Sequence, residues 1–235
     1  MTYHNLILLF WRVNRIKDYI NSGKLGEVFH VYASFRAHRS IPGLGGDFTT
    51  KSVAGGGALI DWGVHFLDIV MYCTGDPMPL TVTGEAFCKL GKDMKAYTYK
   101  DMWAGPPKYD GTYNVDDSVI ALIRTQGPVI TLHGAWAQNI GETEMYIDFM
   151  GDKGGIRLNY GADFTLYTTE NNALISYKPQ FKMESHFQQE INTFIEAIQN
   201  GEKPASHIDT VIVTAKIMQG IYDSAQSHNE LQMED

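Results

Sequence analysis

The chain has 235 residues, 44% of them hydrophobic and 20% charged, which is the make-up of a globular protein long enough for an ample core. Nineteen basic against 27 acidic residues leave a formal net charge of −8, and no Lys/Arg cluster offsets it, which argues against a nucleic-acid surface. Two cysteines, Cys73 and Cys88, cannot build a disulfide framework and point to a reducing, hence cytoplasmic, setting.

In chain order, the apolar run Asn5–Trp11 is too short to span a membrane and lacks a cleavage-site pattern. Leu6–Trp11 reads as a buried strand, Ile16–Ser22 as a short amphipathic helix ended by Gly23, and Val28–Ala37 as a strand. His38–Val53, rich in Gly and Thr, reads as a surface loop.

The next stretch, Gly55-Gly56-Gly57-Ala58-Leu59-Ile60-Asp61-Trp62-Gly63-Val64-His65-Phe66-Leu67-Asp68-Ile69-Val70-Met71-Tyr72, is the one around which the chain is organised. Its only ionisable groups before Tyr72 are Asp61, His65 and Asp68. Helical spacing at i, i+4 and i+7 predicts all three on one face of an otherwise apolar, buried helix. Singly, each has a structural explanation: Asp61 as an N-cap, His65 as a satisfied core histidine, Asp68 as the group that holds the His65 ring. Together, beside flexible glycines, Asp61 and His65 form a candidate proton-transfer pair.

Thr74-Gly75-Asp76-Pro77 is a helix stop, and Thr81–Phe87 reads as a strand. Lys89–Tyr113 is a long excursion carrying Tyr97, Tyr99, Trp103, Tyr109 and Tyr113. Such a loop either closes over a sugar or nucleotide or is an ordinary Ω-loop or subunit contact. Beyond it, Ser118–Thr125, Val129–Ala137, Glu144–Gly151, Gly155–Asn159, Asp163–Thr169 and Leu174–Tyr177 are short runs on hairpin-length connectors, predicting an antiparallel meander. Trp136, Ile147 and Phe149 are its core candidates. Two helices close the chain, one from a Ser185–Gln188 capping box through Phe187, Ile191, Phe194, Ile195 and Ile198, the other capped by Asp209 and running through Val213, Ile217 and Ile221. Asn229–Asp235 reads as a frayed tail.

No dinucleotide fingerprint is present, since Ile60 stands where Gly55-Gly56-Gly57 would need a further glycine. The eight histidines show no ligand spacing, so no metal site is expected.

The central motif resembles the G-G-G-x-L-x-D-x-G-x-H-x-x-D signature of the Gfo/Idh/MocA oxidoreductases. Arg12-Val13-Asn14 with Ile20–Glu27, Phe194–Gly201 and Ile221–Ala225 resemble flanking parts of the same C-terminal half. The resemblance implies an α+β fold over residues 1–235: one domain, with a largely antiparallel open sheet of about six strands and helices packed on one face. It implies catalytic roles for Asp61 and His65, with Asp68 in support, and makes Arg12, Trp62, Trp103 and Tyr113 the substrate-binding candidates. The family's Rossmann domain and its E-K-P lysine have no counterpart here, as in a truncated family chain. The expectation is therefore the substrate-binding and catalytic half of an NAD(P)-dependent sugar or polyol dehydrogenase, inactive alone. NAD or NADP would be bound by a complete family member and not by this chain by itself. Expected partners are a small sugar or polyol and a second copy through the open sheet face, with neither nucleic acid nor membrane. The competing expectation is a free-standing, non-catalytic dimerisation or carbohydrate-binding module.

Overall fold

A computed structural model describes residues 4–180, 186–202 and 208–233. The first element is a helix, α1 (His4–Asn21), and not a strand followed by a short helix. A continuous apolar run is compatible with either state, and the helical residues after Trp11 carry it into helix. Val13 and Ile16 of α1 are buried in the main core. After β1 (Val28–Arg36), residues 37–54 are far from a plain surface loop. Ile41 and Leu44 are fully buried, and a 3-10 turn (Asp47–Thr49) leads into the short helix α2 (Lys51–Ala54).

A helical turn and α3 (Val64–Thr74) follow. Helix α3 ends in a left-handed Gly75 (φ 84°), with the Asp76 N–H donating to the Met71 carbonyl at 2.8 Å, a Schellman stop. Then come β2 (Pro79–Phe87), the long excursion, and the strands β3 (Ser118–Thr125), β4 (Val129–Ala135), β5 (Glu144–Gly151), β6 (Gly154–Asn159), β7 (Phe164–Glu170) and β8 (Ala173–Tyr177). Asn171 and Asn172, both at positive φ (51° and 60°), make the β7–β8 turn, as a two-residue hairpin requires. Helices α4 (His186–Asn200) and α5 (Ile208–Ser227) precede a last strand, β9 (Leu231–Gln232). Ser185 of the expected capping box lies outside the described residues.

The sheet has nine described strands, not about six, in the order β8-β7-β6-β5-β1-β4-β3-β2-β9. It is open, and antiparallel except where β1 pairs in parallel with β4 at its centre. The tail is tied down: Leu231 pairs with Val82, and the Met233 N–H donates to the Leu80 carbonyl. All long helices lie on one face. There Phe66, Leu67, Val70 and Met71 of α3 and Ile217 and Ile221 of α5 pack with Val31, Ala33, Phe35, Leu132, Ile147 and Phe149 of the sheet. The span Lys51–Thr74 has the length and apolarity of a membrane helix, but half of it is buried inside this core, the behaviour of a core helix. The opposite sheet face carries Tyr32, Tyr146 and the pairs Arg36–Glu144 and Asp148–Arg157.

A second, smaller core of Ile41, Leu44, Ala58, Tyr97, Val115, Trp136 and Ala137 sits under the excursion, with Trp62 packed against both cores. At α4 the expected apolar stripe is present but uncovered: Ile191, Phe194, Ile195 and Ile198 are exposed, and among the described side chains of this helix Ala197 is buried. Helical periodicity identifies an apolar face; it does not say what covers it.

Candidate active site

The site is built where the three glycines meet β3. Gly57 and Leu59 donate their backbone N–H groups to the Asp116 carboxylate at 2.8 and 2.9 Å, and the Tyr222 hydroxyl of α5 donates to it at 2.7 Å. The Ala58 N–H donates to the Asp116 carbonyl at 3.0 Å. A Cβ on Gly57 would lie 1.9 Å from that carbonyl oxygen, and one on Gly56 would lie 2.2 Å from the Tyr222 hydroxyl. Glycine is therefore required here for close approach. Burial and the Asp116 charge push the Tyr222 pKa up, which keeps its hydroxyl a donor.

From this clamp the chain enters one π-helical turn, Leu59–Gly63, in which the Val64 N–H donates to the Leu59 carbonyl. Wide turns of this kind concentrate at functional sites. Asp61 lies within the turn, and its Oδ2 accepts a hydrogen bond from the indole N–H of the fully buried Trp136 at 2.9 Å. Burial raises the Asp61 pKa, opposed by the Trp136 bond and by the nearby His65 charge, and the net shift is upward. His65 is exposed, while Asp61 and Asp68 are half-buried. The three do not share one degree of solvent access, and Asp61 alone of them lies in the π turn. No hydrogen bond joins Asp68 to His65 among the described residues.

Of the other candidates, Trp62 adjoins the pair and packs between the two cores. Trp103 is 64% exposed and stands edge-on to Phe48, ring centroids 4.9 Å apart. Tyr113 fills the space over Gly91, and its hydroxyl is buried without a hydrogen-bond partner among the described residues. Arg12 is engaged with Asp163 at 2.8 Å, at the start of β7. Asp61, Trp62 and His65 thus belong to one constellation, and Arg12 is tied to another region of the fold.

Sequence reasoning overlooked Asp116 and Asp117. Oδ2 of Asp117 accepts from the N–H groups of Lys89, Leu90 and Gly91 at 2.7, 2.6 and 3.0 Å, pinning the start of the excursion as Asp116 pins the glycines. The available signal was two adjacent acids directly before an apolar strand, where charge is not buried without partners. A nucleotide pyrophosphate does not fit this Gly-rich helix start, because the amides that would receive it are occupied by Asp116.

The fold is an open α+β sheet backed by helices, with Asp61 and His65 carried on the helical segment that follows the glycines. The chain belongs to the GFO/IDH/MocA family: the model of the GFO/IDH/MocA C-terminal domain matches residues 13–157, more than half of the chain. It is 27% identical over 222 residues to D-glucoside 3-dehydrogenase of Escherichia coli (strain K12), covering 93% of this chain and 60% of that protein. It is 30% identical over 145 residues to a putative UDP-kanosamine synthase oxidoreductase subunit of Amycolatopsis mediterranei (strain S699), covering 59% of this chain and 38% of that protein. Among solved structures, an oxidoreductase domain protein from Kribbella flavida superposes with a TM-score of 0.76 at 18% identity, covering 95% of this chain and 63% of that one. Levoglucosan dehydrogenase in complex with NADH and levoglucosan gives 0.72 at 18%, covering 94% and 62%. The chain spans about three-fifths of the length of the first curated relative.

Proposed function

We propose that this chain is the substrate-binding and catalytic half of an NAD(P)-dependent sugar or polyol dehydrogenase, with Asp61 and His65 as its acid–base pair. The observation that carries the proposal is the placement of an exposed imidazole one turn from a half-buried carboxylate, on a helix whose start is locked by Asp116 and Tyr222. His65 accepts the proton of a substrate hydroxyl as the carbon it sits on is oxidised, and returns it in the reverse direction. Asp61 opposes the charge that develops on His65. Trp62 offers an aromatic wall to the sugar ring. The cofactor supplies hydride chemistry and, by this reading, is held by a separate nucleotide-binding domain. Support comes from the relatives named for sugar dehydrogenases and from the amides at Gly57 and Leu59, which Asp116 already uses.

Two further features fit the reading. The exposed Phe194, Ile195 and Ile198 of α4 and Ile208, Val211 and Ile212 of α5 are apolar side chains that a nucleotide-binding domain would cover. The open sheet face, which includes exposed Ile120, suits pairing with a second copy. A carbohydrate-binding module without catalysis is the second reading, favoured by the exposed Trp103 on Phe48.

Adding reduced nicotinamide to the isolated chain is expected to leave tryptophan fluorescence unchanged, while a panel of aldoses and polyols shifts the indole resonance of Trp62. Direct quenching by reduced nicotinamide would overturn the division of labour. Sugar shifts at Trp103 with none at Trp62 would favour the module.

A further inference from the structure

The bond between Trp136 and Asp61 is unusual in its setting. Trp136 follows directly after β4, has no exposed surface, and is held at its backbone on both sides. Its N–H donates to the Asp117 carbonyl at 2.9 Å, and its carbonyl accepts from the Ser40 N–H at 2.8 Å. The indole is packed among Ile41, Leu44, Ala58, Tyr97 and Val115. A side chain so confined has no alternative rotamer to offer, so its single polar atom has a fixed direction. That atom is a donor only. It can stabilise a carboxylate oxygen, and it has nothing to accept from a protonated carboxyl.

We propose that Trp136 is a positioning residue for Asp61: its indole N–H fixes one carboxylate oxygen and favours the ionised form, so that the other oxygen is presented beside His65. For its consequence in catalysis this rests on the dehydrogenase reading, whereas the coupling of Trp136 to Asp61 does not. Oδ1 of Asp61 has no hydrogen-bond partner among the described residues, which leaves it for a substrate hydroxyl. The charge that reaches Asp61 is that of His65 on the same helix, and burial acts against ionisation. The indole therefore works with His65 and against the buried environment. The second core under the excursion acquires a role in this arrangement, since it is the mould that holds the indole. The aromatic excursion then serves the site from beneath, through Tyr97, whose hydroxyl accepts from the Ile41 N–H at 3.4 Å in the same core.

The test uses the isolated chain and needs no turnover. In an NMR titration the Trp136 indole N–H, assigned with Trp136→Phe, is expected to move with the ionisation of Asp61, and Asp61→Asn is expected to abolish that movement. In Trp136→Phe the Asp61 carboxyl carbon is expected to titrate about one pH unit higher than in the parent, roughly tenfold in acid dissociation. Tyr97→Phe, which alters the same core without touching Asp61, is expected to leave the midpoint in place. An indole signal indifferent to Asp61→Asn, or an equal displacement of the midpoint by Tyr97→Phe, overturns the proposal. If Trp136→Phe does not fold, the indole titration of the parent against Asp61→Asn decides alone. A normal Asp61–Trp136 coupling in a chain that never supports sugar oxidation would sink the dehydrogenase reading and leave the coupling standing.

Discussion

Asp61 is held in an environment that resists its charge, with burial outweighing the Trp136 bond and the His65 charge. Its pKa is higher in the folded chain than in the unfolded one. The linked stabilisation is therefore fully present below the unfolded value and is lost as pH rises through the folded one. Asp61→Asn removes the titration and keeps an acceptor for the indole. The variant is expected to melt above the parent at about pH 8 and to lose that advantage as pH falls below the ordinary aspartate range, where the parent carboxyl is protonated in both states. An advantage that grows on acidification would contradict the assigned sign. The glycines make an independent prediction. Gly57→Ala drives a methyl into the Asp116 backbone and is expected to cost about 1–3 kcal/mol or more in urea unfolding, with no far end of a flexible side chain to yield. The Asp, His and Gly residues were legible in the sequence because their spacing is fixed by one helix. Asp116, Trp136 and Tyr222 were not, because they reach the site from just before β3, from just after β4 and from α5, and only the tertiary fold brings them together.

At the level of elements, the strands β3 to β8 were readable because turn signals and hairpin-length connectors bracket them almost residue by residue, but the expected continuous meander is broken where β1 inserts between β4 and β5. What escaped was of three kinds. The run Leu6–Trp11 is apolar without alternation, so period could not separate strand from helix. The parallel β1–β4 pair depends on a contact between distant segments and leaves no local trace. The π turn adds a single residue to one turn, and no composition marks it. The tail provides the prediction at this scale. Deleting Leu231–Asp235 strips β9 from the edge of β2 and takes Met233 from Gly220, so a loss of about 1–3 kcal/mol is expected. Faster hydrogen exchange at Thr81 and Val82 would accompany it. Unchanged unfolding would mean that β2 is a sufficient edge by itself.

On the scale of the molecule, two cores divide the work. The larger joins the sheet to α1, α3 and α5 and holds the helix that carries His65. The smaller, beneath the excursion, holds the indole that meets Asp61. On the outside, Phe194, Ile195 and Ile198 of α4 and Ile208, Val211 and Ile212 of α5 lie uncovered in a chain that spans about three-fifths of its first curated relative. Replacing Ile198 by Glu is expected to leave the stability of the isolated chain within about 0.5 kcal/mol, as for other exposed positions. The same change is expected to weaken association with a nucleotide-binding domain. Equal stability and equal association would remove this surface from the proposed interface.

The central claim is best tested by joining the Rossmann domain of a complete family member to the N-terminus of this chain and following sugar-dependent reduction of NAD or NADP. The expected result is turnover in the parent fusion and a fall in kcat of roughly 10²-fold or more in His65→Ala, with cofactor affinity unchanged. A fusion that turns over sugar equally well with and without His65 would contradict the assignment of the acid–base pair.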